Sequence, residues 1–468
     1  MSSVVSQVVK FDRELIDRYN VSGPRYTSYP TAPHFKEGFT PDDFRAGVAR
    51  SQAADPDKPL SLYFHIPFCD TVCYYCACNK VITPVREKAV PYLENLFKEI
   101  ERMGRLFDRK RKVAQLHLGG GTPTYLDNDQ LQALWDKVAE NFTLAPDDEG
   151  EYSIECDPRE LPVGAIAKLR KTGFNRLSVG LQDLDPVVQK AVNRVQSLEL
   201  TKRVVDEARE AGYVSINLDL IYGLPFQTEA GFANTVEASI RDLDPDRLAV
   251  FNYAHLPQYF MPQRRINDAD LPHPDVKLKI LENTINQLTD AGHVYIGMDH
   301  FAKPDDELAM AQRNGVLHRN FQGYTTHAEC DLVSMGATSI SQIGDIYAQN
   351  RKELPEYYEL IEAGDLAIFK GMRLSDDDMI RRDVIMRLIC DFHLDRAATS
   401  ERLGIDFSDY FGAEEADVKR MVGEGLLTDD GNRIEVTPGG RLLIRNICMP
   451  FDWHLRNAQQ TKTFSKTI

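Results

Sequence analysis

Between residues 60 and 291 the chain alternates, six times, between a short run rich in β-branched and aromatic residues and a longer run of helical periodicity. The short runs are LSLYFHIPF (60–68), VAQLHLGGG (113–121), YSIECD (152–157), RLSVGLQ (176–182), SINLDLIYG (215–223) and RLAVFNY (247–253). Helix-like segments fall near 88–105, 129–141, 162–172, 199–211, 229–242 and 275–291. Strands separated by helices are not joined as hairpins; each returns by a crossover, which makes the sheet parallel. The pattern predicts an α/β fold, a curved and partly open barrel of six βα units.

Polar and glycine features cluster where these strands end. Cys69 follows the first. Gly119, Gly120 and Gly121 close the second, with Thr122 next. Glu155 ends the third and Gln182 the fourth. Asp219 lies late in the fifth, and Tyr253–Ala254 ends the sixth. One such residue is usually a turn or cap; one on every strand points to the C-terminal face, where parallel barrels build their sites. The glycine run lets a backbone approach a ligand and expose its N–H groups, and also suits a tight turn before Pro123.

Four of the eight cysteines, Cys69, Cys73, Cys76 and Cys78, fall within ten residues, in FHIPFCDTVCYYCACNK. Disulfides there would close almost nothing. A structural zinc site wants two separated ligand pairs, and no second pair has that spacing. A redox CxxC at Cys73 and Cys76 leaves Cys69 and Cys78 without a role. An iron–sulfur cluster takes thiolates on a short loop at such spacings. Three thiolates on a four-iron cube leave one iron open to a small molecule.

At 468 residues the chain has room for more than one domain. Its net charge of −16 argues against general nucleic-acid binding, which needs a basic face. No stretch is long and apolar enough for a membrane span. The first twenty residues, MSSVVSQVVKFDRELIDRYN, lack the apolar core of a signal peptide and carry acids that transit peptides avoid, so a cytoplasmic protein is expected.

The spacing of Cys69, Cys73 and Cys76 resembles the radical S-adenosylmethionine (SAM) family. Within it the chain resembles the oxygen-independent coproporphyrinogen III oxidases (dehydrogenases) of haem biosynthesis, over nearly its whole length. The motifs are YNVSGPRYTSYPTAPHF (19–35), LYFHIPFC with Cys76–Cys78, LHLGGGTPTYL, SIECDPRE, RLSVGLQD, AVNRVQ, NLDLIYGLP, FNYAHLP, SISQIGD, RDVIMRLIC, RLLIRNICMPFD and the terminal KTFSKTI. The resemblance implies a partial (β/α)6 barrel of the radical SAM type and a [4Fe–4S] cluster on Cys69, Cys73 and Cys76. It implies two SAM molecules, the first on the open iron. It implies loss of two propionate carboxylates of coproporphyrinogen III as CO2, giving the vinyl groups of protoporphyrinogen IX, after a 5′-deoxyadenosyl radical takes a propionate hydrogen. Carried over motif by motif, Tyr63, Gly119, Glu155 and Ile340 contact the cluster-bound SAM, and Tyr75 stacks on its adenine. Gly120, Gly121, Gln182, Arg194, Asp219 and Ala254 contact the second, and Thr122 belongs to the same glycine-rich turn. Tyr63 and Cys78 act at the catalytic centre, Cys78 without binding iron. A reduced, flavodoxin-like electron donor and a monomer are implied too. Ala77 and Tyr75 stand where relatives often have Gly and Phe, a small and an aromatic residue in each case. Arg25, Arg264 and Arg265 are candidate partners for the substrate carboxylates, though each also reads as a plain surface arginine.

Two other readings compete. A radical-SAM-like haem chaperone without decarboxylase activity shares CxxxCxxC and GGGTP, but such relatives generally lack the fourth cysteine and the long N-terminal segment. A zinc-stabilised interaction protein leaves the strand ends unexplained.

The ends of the chain suggest separate roles. Residues 1–50 hold the Pro/Gly/Tyr-rich SGPRYTSYPTAP, expected to be irregular and to cover the barrel mouth. Residues 51–374 form the catalytic domain. From 375 a mainly helical, winged-helix-like lid domain is expected, with MIRRDVIMRLICDF (379–392) as helix and LLTDDGNRIEV as a hairpin around Asp430–Gly431. Glu414, Glu415, Asp417, Asp429 and Asp430 oppose DNA binding by that shape. Cys78→Ser is expected to abolish turnover while leaving iron content unchanged; loss of iron, measured on the reconstituted variant, would make Cys78 a ligand instead.

Overall fold

The computed structural model describes residues 8–457 together with 464, 466 and 467. Residues 462, 463, 465 and 468 of the KTFSKTI motif lie outside the described residues. The chain divides into two units, one made of Phe35–Asn283 and Glu329–Arg373, the other of the segment ending at His34, Thr284–Ala328 and the segment from Leu374.

In the larger unit all six expected strands form: β1 (Leu60–Ile66), β2 (Lys112–Gly120), β3 (Glu151–Cys156), β4 (Arg176–Gln182), β5 (Ser215–Tyr222) and β6 (Arg247–Asn252). They lie side by side in chain order and pair in parallel. The crossovers are helices α1 (Ala89–Gly104), α2 (Asn128–Asn141), α3 (Ala165–Thr172), α4 (Leu198–Ala211) and α5 (Glu229–Ala238), and α6 (Pro274–Asp290) follows β6. Local chemistry sets their ends. Asp127 and Gln130 cap α2 reciprocally. Ser197 accepts from the Leu200 N–H at the start of α4, and Gly212 ends that helix in the left-handed conformation. The helix expected from 162 begins at Ala165, because Gly164 before it is left-handed at φ +79°.

The two faces of the sheet differ in kind. Leu62 and Phe64, Leu116 and Leu118, Ile154, Leu177 and Val179, and Leu218 and Leu220 are all buried. Alternate positions are polar. Tyr63 pairs in register with His117, and His117 with Ser153; Glu155 pairs with Ser178, and Gly180 with Asp219. Because side chains alternate across a strand, the first set shares one face and the second the other. The apolar face is roofed by helices such as α1, whose Tyr92, Leu93, Leu96, Ile100 and Met103 are buried at helical spacing. The polar face is the interior of the partial barrel.

The sequence pattern ends with the sixth strand, but the sheet does not. Strand β7 (Asp331–Met335) pairs in parallel with the free side of β1, and β8 (Ile340–Ile343), β9 (Ile346–Asn350) and β10 (Ile368–Arg373) continue it antiparallel. Where β7 meets β1, Asp331 accepts from Arg111 Nη2 at 2.6 Å, Lys58 Nζ at 2.8 Å, the Gly344 N–H at 3.0 Å and the Ser51 hydroxyl. These cations, offsetting burial, hold the Asp331 carboxyl below its ordinary range.

The smaller unit contains the helix Asp376–Asp391 and a three-stranded sheet in the order His393–Asp395, Arg433–Val436, Leu427–Asp429. The last two strands form the expected hairpin, with Gly431 at φ +88° in its turn. The SGPRYTSYP stretch lacks regular structure, apart from a bridge between Ser22 and Lys466. It is fastened by Arg445, which donates to the carbonyls of Gly23 and Pro24, and by the Tyr26 hydroxyl on Asp452 at 3.0 Å.

A second buried acid braces the opposite end of β7. Glu99 of α1 accepts from the Gly336 N–H at 2.8 Å, Tyr357 Oη at 2.6 Å and Asn350 Nδ2 at 2.6 Å. Glu99→Ala leaves three buried donors without an acceptor. It is expected to cost on the order of 3 kcal/mol in chemical denaturation, whereas Glu99→Gln should lose less. A Glu99→Ala protein as stable as its parent would show that the network is dispensable.

Candidate active site

The cysteine loop leaves the C-terminal end of β1 and is held along its length. The Val81 and Thr83 N–H groups donate to Pro67 O and Cys69 O, Tyr74 N–H donates to Val192 O, and Asn193 Nδ2 donates to Val72 O. None of the eight cysteines is in a disulfide. Thr122 Oγ1 donates to Cys69 Sγ at 3.4 Å. Arg159 Nη2 and Arg194 Nη1 lie 3.6 and 3.8 Å from Cys73 Sγ. Lys80 Nζ donates to Cys76 O at 2.9 Å and Cys78 O at 3.3 Å. The neighbouring Cys78 thiol, with Lys80 nearby, draws the Cys76 thiol down, and the Cys76 thiol pushes that of Cys78 up. Burial pushes the Cys69 thiol up to about 12, so metal coordination is what would keep it a thiolate. Three thiols on one loop, with cationic donors about them, fit a cluster of net negative charge with its thiolates.

The polar inner face continues from this loop. The Tyr63 ring stacks over His117, centroids 5.9 Å apart, and its hydroxyl meets His65 Nδ1 at 3.2 Å. Glu155 Oε1 lies 3.1 Å from His117 Nε2, and Glu155 Oε2 accepts from the Gly120 N–H at 3.3 Å. The glycines serve the protein's own packing here. A Cβ on Gly119 would lie 2.7 Å from Glu155 Oε1, on Gly120 2.6 Å from the His65 ring, and on Gly121 2.8 Å from Phe68 O. Deeper along the face, Asp219 accepts from Asn217 Nδ2 at 2.8 Å and Ser178 Oγ at 3.3 Å. Burial, with Glu155 adding, pushes its carboxyl up to about 7.

Arg194 is committed on two sides. Its Nη1 pairs with Asp157 at 2.8 Å, its Nη2 donates to Gly180 O at 2.6 Å, and its Nε is buried without an acceptor among the described residues. Gln182, left-handed at φ +70°, has a buried Oε1 that accepts nothing from them either. Gln263 Nε2 donates to Tyr75 O at 2.9 Å and Ala254 O at 3.2 Å, tying the cysteine loop to the end of β6. Tyr75 packs against the apolar group of Val188, Val192, Leu224, Tyr253 and Ile266. Ile340 opens β8, its carbonyl accepting from Ser334 Oγ at 2.6 Å. Cys78 is the exposed member of the cysteine loop. Of the arginines suggested for substrate, Arg264 donates to Pro257 O and Arg265 lies over Tyr74.

Several residues of this constellation were not singled out from sequence. Asp157 and Arg159, which set the charge beside Cys73, stand in SIECDPRE; His65 and His117 stand in the first two strands. The available signal was alternation: His65 follows Tyr63 by two and Glu155 precedes Asp157 by two.

A parallel partial barrel whose first strand opens into a three-cysteine loop, with a polar interior beside it, defines a radical SAM protein. The Radical SAM superfamily profile matches residues 63–238, and the HemN C-terminal domain profile matches 374–443. An oxygen-independent coproporphyrinogen III oxidase of Pseudomonas aeruginosa is 52% identical over 460 residues, 98% of this chain and 99% of that one. The protein of that name in Escherichia coli is 51% identical over 462 residues, 99% of each chain. A solved structure, coproporphyrinogen III oxidase (HemN) from Escherichia coli, superposes with a TM-score of 0.90 at 50% identity, covering 96% of this chain and 100% of that one. This chain belongs to the oxygen-independent coproporphyrinogen III oxidase family. The haem-chaperone reading is not favoured. Among the described residues no helix is long and apolar enough to cross a membrane.

The Asp219 carboxyl, raised to about 7 by burial, makes a signed prediction. Its neutral form favours the folded state, a contribution fully present below the ordinary carboxylate range and lost as pH rises through about 7. In SAM-free protein, Asp219→Asn should therefore gain stability relative to wild type on going from pH 5 to pH 8. An equal difference at both pH values, in urea titrations, would place Asp219 in a solvated setting.

Proposed function

We propose that this chain catalyses the oxygen-independent oxidative decarboxylation of two propionates of coproporphyrinogen III to vinyl groups, yielding protoporphyrinogen IX for haem biosynthesis. What carries the reading is 52% identity through 98% of the chain to a protein named for that activity. Cys69, Cys73 and Cys76 would hold the [4Fe–4S] cluster. The cluster and SAM, when bound, supply a radical strong enough to take hydrogen from an unactivated C–H bond, which no side chain does.

The chain's own residues then bind, orient and shield. Thr122, donating to Cys69 Sγ, and the two guanidinium groups beside Cys73 stabilise thiolate charge. Tyr63, Gly119, Glu155 and Ile340 are the proposed contacts of the cluster-bound SAM, with Tyr75 at its adenine. Gly120, Gly121, Gln182, Arg194, Asp219 and Ala254 are the proposed contacts of a second SAM. The unsatisfied Gln182 Oε1 and Arg194 Nε support that assignment, since a buried polar atom without a partner is one a ligand completes. Carboxylates at Glu155 and Asp219 suit the ammonium and sulfonium charges of SAM. Tyr63 and Cys78 are the proposed catalytic pair beyond the ligands. The proposal includes a reduced, flavodoxin-like electron donor and a monomer at work in the cytoplasm.

The test is made without oxygen on cluster-reconstituted protein, with a strong reductant, SAM and coproporphyrinogen III. Protoporphyrin after oxidation, together with methionine, is expected; both should vanish in Cys69→Ser, Cys73→Ser and Cys76→Ser, along with cluster absorbance. SAM cleavage without decarboxylation would point to another substrate. Neither product, with a verified cluster, would return the haem chaperone to the front.

A further inference from the structure

Arg319 is a buried cation whose guanidinium is salt-bridged to no acid among the described residues. It lies in the strand His318–Asn320, which pairs antiparallel with Gly323–Thr325 in the smaller unit. Only 7% of its surface is exposed. Its Nε and Nη1 are buried and meet no acceptor there. The guanidinium lies over the Tyr324 ring, 4.7 Å from the centroid, and Tyr324 Oη is itself fastened to Ile389 O. The planar group is thus held in one orientation with donors unused.

Its surroundings are cationic. Asp299, the acid in its field, also feels Arg25 and Arg445, and burial favours the neutral form of that carboxyl. Arg445 is occupied, donating to the carbonyls of Gly23, Pro24, Lys466 and Thr467. Arg25 is exposed and stands in the SGPRYTSYP segment that Arg445 fastens. Three arginines therefore share one acid, and the most enclosed free donors belong to Arg319. An unpaired buried guanidinium is destabilising unless an anion completes it. A carboxylate matches its geometry and charge.

Resting on the functional reading above, we infer that Arg319, with Arg25 in the same positive field, binds a propionate carboxylate of the tetracarboxylate substrate. The test uses reconstituted holoprotein and two fluorescent probes: coproporphyrin III, with four carboxylates, and its tetramethyl ester, with none. Arg319→Gln is expected to weaken coproporphyrin III binding at least tenfold and to leave the ester unchanged. KM for coproporphyrinogen III should rise by a similar factor. Arg319→Lys, which keeps the charge but loses the planar donors, should fall between. Unchanged affinity for the acid, or equal weakening of acid and ester, overturns the assignment. If Arg319→Gln does not fold, Arg319→Lys decides by the same comparison: weaker acid binding with the ester unchanged supports the site, and wild-type affinity for the acid overturns it. A wild type that neither binds coproporphyrin III nor forms protoporphyrinogen sinks the functional reading and this site with it.

Discussion

The strand Leu60–Ile66 is hydrogen-bonded in parallel on both sides, to Lys112–Gly120 and to Asp331–Met335, and the rest of the larger unit depends on that double pairing. Every residue of this strand except Tyr63 is buried. A central parallel strand has nowhere to put a solvated face, so one side must be covered by helices and the other must line an enclosed interior. Leu62 and Phe64 go to the helices. Tyr63 and His65 go inward. The cysteine loop leaves from the end of this same strand, so any slip in its register would move the three cysteines and exchange the faces.

Charge is handled differently at the two ends of the sheet. At the strand starts, Asp331 is surrounded by Arg111, Lys58, Ser51 and a backbone N–H. That arrangement is self-sufficient and belongs to stability. At the strand ends, Gln182 and Arg194 keep buried atoms without partners among the described residues, and Asp219 is buried beside Glu155 with neutral donors alone for hydrogen bonds. A face left incompletely satisfied costs folding energy and is ready to accept a ligand's polar groups. Parallel barrels divide stability and chemistry between their two ends in this way.

The strands and their C-terminal polar residues were legible because both depend on local rules. β-branched runs make buried strands, helices enforce crossovers, and the crossovers put every C-terminus at one edge. Less legible was the inward alternation that joins Tyr63, His65, His117, Glu155, Ser178, Asn217 and Asp219, since it appears only when strands are set in register. Strands β7 to β10 escaped the pattern because no helix separates β7, β8 and β9 and glycines interrupt the runs. The glycines of GGG also proved to have a second reason. They make room for His65, Glu155 and the Pro67–Phe68 backbone, atoms brought from two segments.

By itself the sequence determined the parallel α/β architecture, the three-cysteine loop at the end of its first strand, and, through its motifs, the family. Periodicity and short-range spacing encode these directly. Only the tertiary structure decided which charges meet. It placed Asp157 between Arg159 and Arg194, set those cations beside Cys73, gave Asp219 its neutral partners, and left buried donors of Arg319 without an acceptor among the described residues. It also gathered the segment ending at His34 with Thr284–Ala328 and the segment from Leu374 into one unit. Burial and electrostatic pairing depend on distance in space, and residues far apart in the chain acquire that distance only when the sheet closes its register.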